Sequence, residues 1–83
     1  MSSWPNIIPN GMMEIQVKTP EELGALVRSR RTGQKLTQED LAAVALVTPR
    51  LVGELERGKR TAQLDGVLRI LAALGIDLVA KPR

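Results

Sequence analysis

The sequence predicts a mainly α domain of four helices with a short strand at each end. Three observations carry this expectation. Threonine caps at Thr19, Thr37 and Thr48 each precede a helix-forming stretch, two of them with proline at the first helical position. Apolar residues then recur three and four apart inside these stretches. At residues 13–17 and 76–80 the spacing changes to a period of two, that of a half-exposed strand. Eighty-three residues with 43% hydrophobic and 25% charged side chains suit one small domain with a thin core.

The first helix is expected over residues 20–32. Thr19-Pro20-Glu21-Glu22 supplies the cap hydroxyl, the proline and an acid three residues after the cap. Leu23, Leu26 and Val27 form the inward face, Arg28, Arg30 and Arg31 load the negative end of the helix dipole, and Gly33 stops it. Thr37-Gln38-Glu39-Asp40 opens a second helix over 38–45, with Leu41, Ala42, Val44 and Ala45 as its apolar face. Thr48-Pro49 opens a third helix that ends before Gly58 and turns Val52 and Leu55 inward. After the polar link 58–61, Leu64, Val67, Leu68, Leu71 and Leu74 mark the main core helix, closed by Gly75. Met13, Ile15 and Val17 read as a short edge strand. Ile76, Leu78 and Ala80 alternate with Asp77, Val79 and Lys81 as a second strand, which Pro82 ends.

Residues 1–11 contain two prolines, two asparagines and a glycine, so a disordered arm is expected there, with residues 12–83 as the folded domain. Trp4, the one aromatic residue, is either a tail residue or an anchor for a partner. The chain has no cysteine and no histidine, which removes thiolate metal sites, the usual zinc ligands and the commonest general base. An enzyme is therefore not expected, and no cofactor or metal is implied. The longest apolar run is broken by Gly75 and Asp77, short of the roughly 20 residues that a membrane span needs. A cytoplasmic protein is expected. Twelve Lys and Arg against nine Asp and Glu give a formal charge of +3, which suits a polyanionic partner.

Two short helices joined by a three- to four-residue turn have the helix-turn-helix pattern, in which the second helix enters the DNA major groove. The runs Leu36-Thr37-Gln38-Glu39-Asp40-Leu41-Ala42, Val47-Thr48-Pro49-Arg50-Leu51-Val52 and Leu55-Glu56-Arg57-Gly58-Lys59 resemble the signature of the Xre/Cro-type helix-turn-helix family, over about residues 19–75. The resemblance implies a lambda-repressor-like domain. It implies further that Gln38, with Thr37 and the start of its helix, holds a phosphate, and that the exposed first turns of the third helix face base edges. On that register the base contacts are Thr48, Pro49, Arg50, Leu51 and Glu54, and Arg57, Lys59 and Arg60 meet the DNA backbone. Arg31 and Glu56 match an ion pair that ties the first helix to the third.

Several of these positions carry two readings. Arg50 can grip guanine O6 and N7 while Glu54 accepts from cytosine N4, or the two can pair with each other at i, i+4. Leu51 points away from the core on this register, so it needs a thymine methyl or a neighbouring element. Gly53 permits close approach, or simply weakens the helix. Leu46 stands where the family has glycine in a left-handed conformation, so either the turn differs or the second helix is longer by a residue.

A narrower resemblance lies at the ends, in Thr19-Pro20-Glu21-Glu22-Leu23-Gly24, Leu51-Val52-Gly53-Glu54 and Leu74-Gly75-Ile76-Asp77-Leu78-Val79, which are similar to HipB-type antitoxins. It implies a homodimer that represses its own operon at a palindromic double-stranded DNA operator and binds a HipA-type serine/threonine kinase toxin. A repressor without a toxin, and a pure interaction module, are the other readings. The 76–80 strand must pair with the 13–17 segment, with its symmetry mate, or with both, because a lone strand leaves its backbone groups unsatisfied. Ile76, Leu78, Val79 and Ala80 are accordingly the expected dimerisation residues.

Overall fold

The computed structural model describes residues 6–7 and 13–83. Four helices follow in order: α1 (Pro20–Gly33), α2 (Gln38–Ala45), α3 (Pro49–Glu56) and α4 (Leu64–Ala73). Three begin on the expected threonines. Thr19, Thr37 and Thr48 each sit in extended backbone, and each hydroxyl accepts an N–H from the residue three further on, at 3.0–3.1 Å. At Thr37 the bond is reciprocated: Asp40 accepts the Thr37 N–H at 3.0 Å and completes a capping box. Among the described residues no helix is long and apolar enough to cross a membrane.

The core is made of Val27, Leu41, Ala42, Ala45, Val52, Leu55, Val67, Ile70, Leu71 and Leu74, all buried. Helix α1 lies against α3, and α2 against both α3 and α4. Gly24 makes the α1–α3 approach possible: a Cβ there would collide with the Leu55 carbonyl oxygen and lie 2.8 Å from that of Glu56. The face of α4 is rotated from the expected one. Leu64 and Leu68 are 67% and 42% exposed, and Ile70 is fully buried in their place. The reason lies at Gly66, against which Leu51 packs so closely that a Cβ would clash with its Cδ2. That contact turns the 66, 67, 70 side of α4 inward and leaves 64 and 68 outside.

The strands depart from expectation. Met13–Glu14 (β2) pairs antiparallel with Asn6–Ile7 (β1), and residues 15–19 carry no strand. Apart from that backbone pairing at 6–7, the expectations for the 1–11 arm and Trp4 lie outside the described residues. Residues 76–83 form no strand. Of the 13–17 segment offered as their partner within the chain, Met13–Glu14 pairs with β1 instead, and a strand without a partner leaves its amides and carbonyls unpaired. Gly75, with φ +74°, closes α4, and the Ile76 N–H returns to the Leu71 carbonyl at 2.9 Å.

Leu46 resolves the turn. Helix α2 is not longer and the turn is of the usual kind: Leu46 itself adopts the left-handed conformation, with φ 59° and ψ 45°. Its N–H and that of Val47 both return to the Ala42 carbonyl, the latter at 3.0 Å. Left-handed backbone costs a non-glycine residue about 1–2 kcal/mol. The side chain is 81% exposed, so burial offsets little of that cost. Leu46→Gly is expected to raise the unfolding free energy by about 1 kcal/mol, once the added chain entropy of glycine is subtracted from the relieved strain. Urea denaturation checks this, and an unchanged or lowered midpoint would contradict the strain.

Candidate nucleic-acid interface

The α2–turn–α3 unit presents the first turn of α3 to solvent. Thr48, Pro49 and Arg50 are all exposed there, the Arg50 side chain at 84%. Proline at the first helical position and the Thr48 cap fix this turn, since neither needs an intrahelical N–H partner. Arg57, Lys59 and Arg60 are exposed beyond the other end of the helix. Backbone bonds set that end: the Arg57 and Lys59 N–H groups both reach the Glu54 carbonyl, at 3.2 and 3.0 Å.

Arg50 and Glu54 do pair, with Arg50 Nε 3.0 Å from Glu54 Oε2. The same oxygen also receives Lys59 Nζ at 3.1 Å. Lys59 first, and Arg50 second, hold the Glu54 carboxyl below its ordinary range. Leu51 does not face outward. Of the two partners open to it, the structure supplies the neighbouring element, α4 at Gly66. Gly53 is buried beneath the protein's own side chains: a Cβ there would lie 3.2 Å from Arg57 Nη1 and 3.5 Å from Gln38 Oε1.

Gln38 and Thr37 start α2 beside this spot. The Thr37 hydroxyl is engaged as a cap, and the Thr37 backbone N–H donating to Asp40 Oδ2 first, with the Thr37 side chain second, lowers the Asp40 pKa. Gln38 Nε2 donates to Glu56 Oε1 at 3.2 Å. Glu56 also accepts a forked pair from Arg31, Nε to Oε2 at 2.6 Å and Nη2 to Oε1 at 3.0 Å. The two side chains are 12% and 4% exposed. Burial pushes the Glu56 pKa upward, and the bonds from Arg31 and Gln38 outweigh it, leaving the carboxyl below its ordinary range. The bond to Glu56 raises Arg31 in turn.

Two residues whose positioning role the sequence reading missed are Arg30 and Gln34. Arg30 Nη2 and Gln34 Nε2 both donate to the Leu74 carbonyl, at 3.1 and 3.0 Å, pinning the end of α4 to the end of α1. The one signal for Arg30 was its place among cations at a helix end, and Gln34 had none. Of the dimerisation residues, Ile76 packs half-buried against the chain's own core, whereas Leu78 and Val79 are 65% and 68% exposed and Ala80 is exposed as well.

Residues 27–80 match the family described as Helix-turn-helix. An uncharacterized HTH-type transcriptional regulator, y4mF of Sinorhizobium fredii, is 49% identical over 70 residues, which are 82% of this chain and 92% of the relative. Among solved structures, the restriction-modification controller protein C.AhdI from Aeromonas hydrophila is 34% identical, with a TM-score of 0.63 over 70% of this chain and 88% of that one. A chain of the HipA-HipB-O2-O3 complex shares the fold more fully, with a TM-score of 0.76 over 83% of this chain and 97% of that one, at 17% identity.

The Glu56 pair sets a pH dependence whose sign follows from its lowered pKa. Its stabilisation is whole above the unfolded-chain value of about 4.3, and is lost as pH falls through the lower folded value. The wild type is expected to lose stability more steeply than Glu56→Gln between about pH 5 and pH 3. Asp40 and Glu54 share the sign but are present in both proteins, so the difference isolates Glu56. Denaturation midpoints across this range check it, and parallel curves would contradict it.

Proposed function

The chain belongs to the Xre-type helix-turn-helix family, and on that premise we propose that it is a homodimeric repressor of its own operon and the antitoxin of a HipA-type serine/threonine kinase. The observation that carries the DNA-binding part is the arrangement of α3, with a bare first turn at Thr48, Pro49 and Arg50 and three cations past its other end. In the complex Arg50 grips a guanine edge and Glu54 accepts from a base amino group. Thr37, Gln38, Arg57, Lys59 and Arg60 hold phosphates, helped by the N–H groups at the start of α2. The transcriptional-regulator relative supports this reading.

One eight-residue helix reads few base pairs, whereas two set about 34 Å apart read a palindrome. The tail beyond α4 supports a dimer. Leu78, Val79 and Ala80 lack partners within the chain's described residues, and exposed Leu64 and Leu68 add apolar surface on α4. The HipA-HipB complex supports the antitoxin part through the fold alone. A regulator without a toxin is the second reading, favoured by the higher identity to the controller protein C.AhdI. Capture of the tagged protein from cells expressing its neighbouring reading frames separates the two: a stoichiometric kinase supports the antitoxin, and the homodimer alone supports the controller-like regulator.

Against a duplex selected from a random pool, Arg50→Ala is expected to cost about 1–3 kcal/mol of binding and to relax preference at one base pair. Arg60→Ala is expected to weaken selected and scrambled duplexes alike and to reduce the salt slope by about 1. Titrations at several salt concentrations check both, and equal losses on the two duplexes for Arg50→Ala would contradict base reading.

A further inference from the structure

We propose that Glu54 is a selectivity residue, whose carboxylate holds back the cations of the DNA-facing surface from any phosphate and releases them where the base sequence offers a substitute. This rests on the DNA-binding reading above and deepens it.

The sequence allowed Glu54 two roles, base contact or partner of Arg50. The geometry adds a third member. A single oxygen, Oε2, lies 3.0 Å from Arg50 Nε and 3.1 Å from Lys59 Nζ. The proposed base reader and a proposed phosphate contact thus share one counter-charge. The three are also layered: the Glu54 side chain is 17% exposed, Lys59 43% and Arg50 84%. The carboxylate is the inner group and the cations are the outer ones. The main chain from which it projects is held in turn, because the Glu54 carbonyl accepts the N–H groups that end α3 and begin the following link.

A phosphate approaching either cation therefore also approaches a fixed negative charge. At about 4 Å two like charges in water disfavour contact roughly fivefold, and more where solvent is excluded. On a random sequence nothing relieves that repulsion. On a suitable sequence Arg50 leaves for a guanine edge, and an amino group of cytosine or adenine donates to the carboxylate in its place. Discrimination then comes from penalising the wrong sequence as well as from rewarding the right one.

The test compares wild type, Glu54→Gln, Glu54→Asp and Asp65→Asn on a duplex that the wild type selects from a random pool and on its scrambled counterpart, across several salt concentrations. Asp65 pairs with Arg69 on α4, so its removal is a matched loss of an exposed i, i+4 carboxylate. Glu54→Gln is expected to bind the scrambled duplex about five- to twentyfold more tightly, with a salt slope steeper by about 1, and to gain little on the selected one. Glu54→Asp and Asp65→Asn are expected to keep the wild-type ratio. An unchanged ratio in Glu54→Gln, or an equal fall in Asp65→Asn, overturns the inference while the DNA-binding reading stands. Wild type that enriches no sequence and binds neither duplex overturns both.

Discussion

A carboxylate that is 4% exposed holds three parts of the chain together. Glu56, at the end of α3, accepts both arms of the Arg31 fork from α1 and the amide of Gln38 from the start of α2. Arg31 spends its remaining arm on the Leu36 carbonyl at 2.8 Å, which fixes the link between α1 and α2. The bare backbone at Gly24 lets α1 come close enough to α3 for the fork to reach. A buried ion pair is weak evidence for net stability, because desolvation opposes attraction, but removing one partner leaves a buried charge at a cost of about 3–5 kcal/mol. What the pair supplies here is a single arrangement of three helices in a chain with no disulfide and a thin core.

The exposed surface follows from that arrangement. With the end of α3 tied to α1 and α2, the first turn of α3 projects freely, and the cations that follow it lie on the outside. Leu51 seals the other flank of α3 by packing on Gly66, while Thr48, Pro49 and Arg50 stay exposed. Leu46 shows how strongly the turn is specified. Its left-handed backbone carries a local strain that the α2–α3 geometry imposes, and its exposed side chain returns almost nothing.

The helices and their starts were legible in the sequence because caps are local: a threonine, the residues just after it and their hydrogen bonds all lie within one turn. The Arg31–Glu56 pair was legible through resemblance to a family rather than through spacing. The interior face of α4 was misread at Leu64 and Leu68, because two overlapping sets of residues at helical spacing exist there. Only the contact between Leu51 and Gly66 chooses between them. The terminal strand at 76–80 could not be settled from one chain, since a strand is defined by its partner. Arg30 and Gln34 left no pattern to read, for a side chain reaching a carbonyl forty or more residues away has no period.

The claim that Glu56 and Arg31 act as one unit is tested most directly by a double-mutant cycle in urea denaturation, with Arg31→Ala, Glu56→Ala and the double substitution. The account predicts that the double substitution costs less than the sum of the two single ones, with a coupling of about 1–3 kcal/mol. Losses that simply add, to within about 0.5 kcal/mol, would contradict it.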